Sequence, residues 1–183
     1  MLAYNSGRYP TKIKSVRVNS YEIWRHGVVR CWHTPYKGNE NYVDVNFSES
    51  WLDYSNFHED VVNMVGYGVK GFVLDKDILS NKGEKVYSKD TCCFVPADIN
   101  SLLLKSDKAR GGCLIGVDFH KKTGKYRARH RGHLGLFESE VEAFYAYKEA
   151  KEKYIKEVAN KYKDQIDSRA YEALMKYEVN IDD

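Results

Sequence analysis

No run of about 18 apolar residues occurs in the chain, and Met1-Leu2-Ala3-Tyr4-Asn5 has neither the basic start nor the apolar stretch of a secretory signal. Neither a membrane-spanning nor a secreted protein is expected from this, and the expectation is a soluble cytoplasmic protein with no membrane partner. Neither GxxxxGK[ST] nor GxGxxG is present, so no nucleotide cofactor is expected. Cysteine is scarce: Cys31, Cys92, Cys93 and Cys113 include no CxxC, and the adjacent pair cannot easily bridge to itself. Reduced thiols are expected rather than disulfides or a zinc site. Phenylalanine is scarce beside tyrosine, 7 against 15, which points to wet aromatic surface rather than a purely apolar core. There is no internal repeat and no low-complexity segment.

What is there suffices for one ordinary domain or two small ones, with 183 residues of which 43% are hydrophobic. The formal charge of +3 conceals a lopsided distribution. From Lys105 to His133 there are nine Lys and Arg against Asp107 and Asp118, a net +7, so the remainder carries about −4. Basic character concentrated in one stretch is the electrostatic footprint of a polyanion binder.

Hydrophobic periodicity and punctuation predict an α+β chain. Asn19 can cap a helix over residues 19–32, with Glu22 three residues later and Tyr21, Trp24, Val28, Cys31 and Trp32 on one face. A second helix is predicted from Ser48 to about Met64 on Trp51, Tyr54, Phe57, Val61 and Met64, after a loop from Pro35 to Asp44. Gly66, Gly68 and Gly71 end it, and Phe72-Val73-Leu74 reads as a strand closing at Asp75-Lys76-Asp77. After a turn at Asn81-Lys82-Gly83 come Val86-Tyr87 and Cys92-Cys93-Phe94-Val95, with Pro96 placed as the first residue of a helix to about Leu104.

KSDKARGG, residues 105–112, reads as a linker between residues 1–104 and a second module over 113–166. That module opens on Leu114-Ile115-Gly116-Val117, turns at Lys122-Thr123-Gly124 and continues through Lys125 to Phe137 as two short strands. A helix of roughly 40 Å follows from Glu138 to about Lys163, striped by Val141, Phe144, Tyr147, Tyr154, Ile155, Val158 and Tyr162. Residues 167–183 are expected as a last short helix, capped at Asp167-Ser168, and a tail.

Lys125, Arg127, Arg129 and Arg131 alternate with Tyr126, Ala128 and His130. In a strand this sends all four cations to one surface. A two- or three-stranded sheet fits the major groove of duplex DNA, where arginine forks pair with guanine edges or clamp phosphates. With Gly116-Val117, Leu134-Gly135-Leu136-Phe137, Glu142-Ala143 and Ala146-Tyr147, this segment resembles the Apetala/ethylene-response-factor DNA-binding domain, in the version attached to phage endonucleases. The resemblance spans roughly residues 111–150. It implies a three-stranded antiparallel sheet packed on one helix, with Lys121, Lys122, Lys125, Arg127, Arg129, Arg131 and His133 against double-stranded DNA. The hairpin at His130-Arg131-Gly132-His133 is shorter than in that family.

Leu74-Asp75-Lys76-Asp77-Ile78-Leu79, Tyr87-Ser88, Thr91-Cys92-Cys93-Phe94-Val95-Pro96 and Asn100 resemble the degenerate HNH segment of phage homing endonucleases. Tyr21, Trp24, Arg30-Cys31, Glu49, Trp51 and Phe57 are similar to its leader. What this implies is an HNH-like ββα module with leading helices, in which Asp75 holds Mg²⁺, or Mn²⁺, against the scissile phosphate. Asp77, Thr91 and Asn100 complete the implied centre. Lys76 stands where that family has a histidine base and Thr91 where it has an asparagine. A lysine between two aspartates is held as the ammonium, which suits it to clamp phosphate rather than to take a proton. His26, His33 and His58 are alternative bases. The combined expectation is a Mg²⁺-dependent endonuclease of phage homing type that nicks duplex DNA, acting in the host cytoplasm if phage-encoded. The alternatives are a non-catalytic DNA-binding regulator or inhibitor, and a protein-interaction module built on the long tyrosine-rich helix.

Overall fold

The computed structural model describes residues 2–32, 45–80, 85–103 and 112–182. They form an α+β chain in two compact units, residues 1–97 with 164–170, and residues 98–163 with 171–183. The expected loop from Pro35 to Asp44, the turn at Asn81-Lys82-Gly83, His33, and the linker except for Gly112 lie outside the described residues.

The first unit opens with a two-residue hairpin, β1 (Lys12–Ile13) and β2 (Val16–Arg17), turning through Lys14 and Ser15 at positive φ. Helix α1 (Asn19–Trp32) follows, then β3 (Asn46–Phe47) and a 3-10 turn over Glu49–Leu52. Helix α2 (Tyr54–Val61) comes next, then strands β4 (Phe72–Asp75), β5 (Val86–Tyr87) and β6 (Cys93–Pro96). β5 pairs in parallel with β3, and β6 pairs antiparallel with β4, setting Asp75 opposite Cys93.

Two expectations are corrected here. The helix predicted from Ser48 to Met64 is broken at Asp53, which is extended and accepts the backbone N–H groups of Ser55 and Ser6, each at 3.0 Å. A short acidic side chain offers the backbone an alternative to the helical ladder, so Asp53 caps α2 rather than continuing a longer helix. Pro96 is the last residue of β6 and not the first of a helix; α3 (Ala97–Leu102) begins after it, with the Ala97 N–H on the Gly71 carbonyl. The apolar positions survive the break: Trp51, Tyr54, Phe57 and Val61 are fully buried, each worth about 1.5–3 kcal/mol of burial. Trp24 joins them and donates its indole N–H to the Trp51 carbonyl at 2.9 Å.

The second unit holds strands β7 (Val117–His120), β8 (Lys125–Arg129) and β9 (His133–Phe137) in one antiparallel sheet of that order, then α4 (Glu140–Lys161). Ser139 and Glu142 form a reciprocal capping box that starts α4 two residues later than the periodicity suggested. Ile115, Val117 and Ala128 pack with Ala143, Phe144 and Tyr147 of α4, and the buried Val179 closes the cluster. Val179 is pinned at both backbone groups, its N–H on Glu152 at 2.8 Å and its carbonyl on the Lys148 ammonium at 2.7 Å. A further helix, α5 (Ser168–Met175), has Asp167 accepting the Arg169 N–H at its start.

His130, in the turn after β8, lies between the rings of Tyr147 and Tyr154 of α4, at 5.8 and 5.6 Å. Its Nε2 is buried and has no hydrogen-bond partner among the described residues. Burial, then the cations Lys151 and Arg131, hold its pKa below the ordinary value. The unfolded chain therefore takes up the proton first, and stability is lost as pH falls from about 6.5 through the folded value. The melting temperature of the second unit is expected to drop between about pH 7 and 5, and His130→Phe to flatten that dependence. Parallel pH profiles of the two proteins would count against a buried neutral imidazole.

Candidate functional site

Because side chains alternate along a strand, the register of the three-stranded sheet sorts its residues by face. Val117 lies opposite Ala128 and Ala128 opposite Gly135, and this row carries the buried residues packed on α4. The outer face carries the row Asp118, Arg127 and Leu136 and the pair His120 and Lys125. At Ala128/Arg129 the pairing with β9 shifts, and Arg129 pairs with His133. Arg129 still reaches the outer row, with its Nε 3.0 Å from Asp118 Oδ1.

The structure brings together three of the four alternating cations and removes the fourth. Arg127 forks onto Asp118, Nε at 3.2 Å and Nη2 at 2.7 Å, and the Lys125 ammonium meets Glu138 at 2.6 Å. Arg131, expected on the same surface, sits in the tight turn with φ +56, and its guanidinium stacks 4.3 Å over the Tyr154 ring of α4. The strand ends at Arg129 because the short hairpin turns there, with the His130 N–H on the Gly132 carbonyl. Lys121 and Lys122 stand exposed in the turn joining β7 to β8, and His133 is exposed at the start of β9.

The acids on this surface do not neutralise it. Lys121, Lys122, Lys125, Arg127 and Arg129 stand there against two carboxylates, Asp118 and Glu138. Ion pairs open to solvent contribute only about 0.2–1 kcal/mol each, so phosphate competes for the same guanidinium and ammonium groups. Asp118 itself is held below the usual carboxylate range, first by its hydrogen bond from Arg127 and further by the charge of Arg129, against some burial. Sequence reading counted Asp118 only as a charge and missed Leu136 as part of this face. Extending the alternation across the Lys122-Thr123-Gly124 turn onto β7 would have set Asp118 beside Arg127.

The expected nuclease residues are placed differently. Asp75 ends β4, is buried, and uses Oδ1 to accept the N–H groups of Asp77 and Ile78, both at 2.8 Å. Burial pushes its pKa up, against the pull of those two hydrogen bonds and of Lys76. The buried Lys76 sends its ammonium to Asp77, whose side chain is exposed. Thr91 is spent on its own turn: its hydroxyl donates to the Val86 carbonyl at 2.6 Å and accepts the Ser88 N–H at 3.1 Å. Asn100 lies in α3 and falls in the second unit, whereas Asp75, Lys76, Asp77 and Thr91 belong to the first.

Of the alternative bases, His58 is a packing residue, bonded through Nδ1 to Ser20 at 2.8 Å and tilted against the Tyr9 ring with centroids 4.2 Å apart. His26 lies 3.6 Å from Glu22 on α1. Cys92 and Cys93 are both buried, and burial pushes the Cys92 thiol up to about 12. They are inert core groups at neutral pH.

Mg²⁺ prefers ionised carboxylates with accessible lone pairs and keeps several waters. Here the inward carboxyl of Asp75 already accepts from two backbone amides through Oδ1, and the neighbouring acid, Asp77, is engaged by the Lys76 ammonium. Among the described residues no three His, Cys, Asp or Glu side chains gather as a metal-holding group. This donor set fits Mg²⁺ or Mn²⁺ poorly. Among the described residues no helix is long and apolar enough to cross a membrane. Comparison with family models, curated proteins and solved structures finds no match to the chain.

Proposed function

We propose that this chain is a duplex-DNA-binding protein that lays the outer face of β7, β8 and β9 against the major groove, as the Apetala/ethylene-response-factor resemblance implies. The observation that carries this reading is the placement of Lys125, Arg127 and Arg129 on one face of a sheet whose other face is filled by α4. A rigid backing of Phe144 and Tyr147 behind the strands presents the cations with little ordering left to complete on binding. On this reading the protein acts on DNA by occupying it, as a regulator or inhibitor does. The experiment is a fluorescence-anisotropy titration of the full chain with a random-sequence duplex over a salt series. Expected is an affinity that falls linearly, log against log, with a slope of about −0.9 per phosphate neutralised. Affinity that ignores salt, or no binding at low salt, would sink it.

A second reading, metal-dependent nicking by an HNH-like homing endonuclease, is favoured by one observation: a carboxyl of perturbed pKa at the end of a strand, Asp75, beside a buried lysine. The two readings part at Asp75→Asn. If Asp75 only builds its turn, asparagine keeps the acceptor for both N–H groups and stability stays near wild type, while Asp75→Ala loses about 1–3 kcal/mol in urea unfolding. Neither variant then differs from wild type on supercoiled DNA with Mg²⁺, Mn²⁺ or chelator. Nicking by wild type that chelator abolishes and Asp75→Asn lacks would establish the enzyme.

A further inference from the structure

The outer face of the sheet holds one feature that a plain phosphate clamp does not need. Asp118 lies in the same cross-strand row as Arg127 and accepts from two arginines at once, Arg127 through Nε and Nη2 and Arg129 through Nε. A bare cationic face would bind any duplex more tightly, since each further phosphate neutralised releases counterions and strengthens binding without regard to sequence. A carboxylate at the centre of such a face does the opposite: it repels the sugar-phosphate backbone and occupies guanidinium N–H groups that phosphate would otherwise take.

The same carboxylate fixes two long side chains. Arg127 and Arg129 are tied at their Nε edges, which takes up part of their rotamer freedom before DNA arrives. Their remaining N–H groups form forks of defined direction, the geometry that pairs with the O6 and N7 of guanine. Asp118 can itself accept from the N4 amino group of cytosine, and Leu136, in line with Arg127 on the other side, offers an apolar surface to a thymine methyl. One row across the sheet thus presents an acceptor, a donor fork and an apolar group, which is a means of distinguishing bases.

We infer that Asp118 is a specificity-determining and positioning residue, which orients Arg127 and Arg129 for base edges of a G·C-containing site and penalises binding to unrelated duplex. This rests on the proposed DNA-binding reading. The test compares wild type with Asp118→Asn on two probes: a duplex enriched by the wild-type protein from a randomised library, and a random-sequence duplex, each over a salt series. Expected for Asp118→Asn is tighter binding to the random duplex and a slope steeper by about 0.9 for each phosphate newly reached. The ratio of affinities for the two probes is expected to fall about tenfold or more. If thermal melting shows Asp118→Asn unfolded, Asp118→Thr, neutral and well suited to a strand, carries the same comparison.

An unchanged ratio, or affinities for both probes that fall together, would overturn the inference and leave Asp118 a structural ion pair. So would a wild type that binds duplexes yet enriches no sequence. A wild type that binds no duplex removes the DNA-binding reading itself, a result distinct from the others.

Discussion

Gly116→Ala is expected to unfold the sheet and helix of the second unit while leaving the first unit's signals in place. Gly116 precedes β7 at φ +75, and a Cβ there would stand 2.1 Å from the Tyr147 ring, with two more ring atoms within 2.4 Å. The residue is also tied by its carbonyl, which accepts the Arg129 N–H at 2.9 Å. Two penalties therefore add: about 1–2 kcal/mol for the left-handed backbone and about 1–3 kcal/mol for forcing a methyl against a packed ring. Their sum is a large part of the stability of a domain of this size. Gly124→Ala is the control, since Gly124 has φ +68 but open space around it, so only the backbone penalty of about 1–2 kcal/mol applies. The check is amide NMR dispersion together with urea unfolding. Equal stability of the two variants would mean that Tyr147 is not packed over Gly116.

The largest functional effect is expected from the triple variant Lys125→Ala, Arg127→Ala, Arg129→Ala. All three side chains project from the outer face, so their removal leaves the packing of Val117 and Ala128 against Phe144 of α4 untouched. Affinity for duplex DNA at moderate salt is expected to fall about a hundredfold or more, with the log-log salt slope reduced in magnitude by about 0.9 for each phosphate that the variant no longer neutralises. Arg131→Ala should behave differently. Its guanidinium stacks on Tyr154 in the turn, so its removal is expected to alter thermal stability more than salt slope. A triple variant that folds and binds as wild type does would leave the cationic sheet without a role. An Arg131→Ala slope change as large as that of any single sheet cation would restore the four-in-a-row arrangement read from the alternation.

The parts of the fold that are local were legible in the sequence, and the parts made by distant segments were not. The 19–32 helix and the strands around Lys122-Thr123-Gly124 are written in periodicity and turn residues, and the structure has them there. On α1, however, the buried face includes Ser20 and Gly27 beside Trp24, and Gly27 meets the Phe47 ring so closely that a Cβ would lie 2.6 Å from it. A search for apolar residues passes over small ones that permit close approach. Asp53 was unreadable as a break because the N–H groups it accepts include that of Ser6, near the start of the chain and distant in sequence. The same holds for Tyr4, whose N–H and carbonyl pair with Leu52 and Tyr54, and for Val179, held by side chains of α4.

At the candidate sites the cationic strand was readable because period two is enforced by the backbone, until the hairpin at Arg131 ended the strand. Asp75 at a strand end looked like a ligand, but an aspartate two residues before free backbone N–H groups is also what builds a turn, and only the hydrogen bonds to Asp77 and Ile78 separate the two uses. Thr91, likewise, is occupied by Ser88 and Val86, its near neighbours in sequence.

The central claim, that the outer face of β7, β8 and β9 is the DNA-binding surface, is tested most directly by titrating duplex DNA into the isotopically labelled full chain and following backbone amide and arginine Nε signals by NMR. Perturbations are expected to centre on Asp118, His120, Lys125, Arg127, Arg129 and Leu136, with the Nε resonances of Arg127 and Arg129 moving most. Perturbations confined to the first unit or to the exposed side of α4, with the sheet signals unmoved, would contradict it.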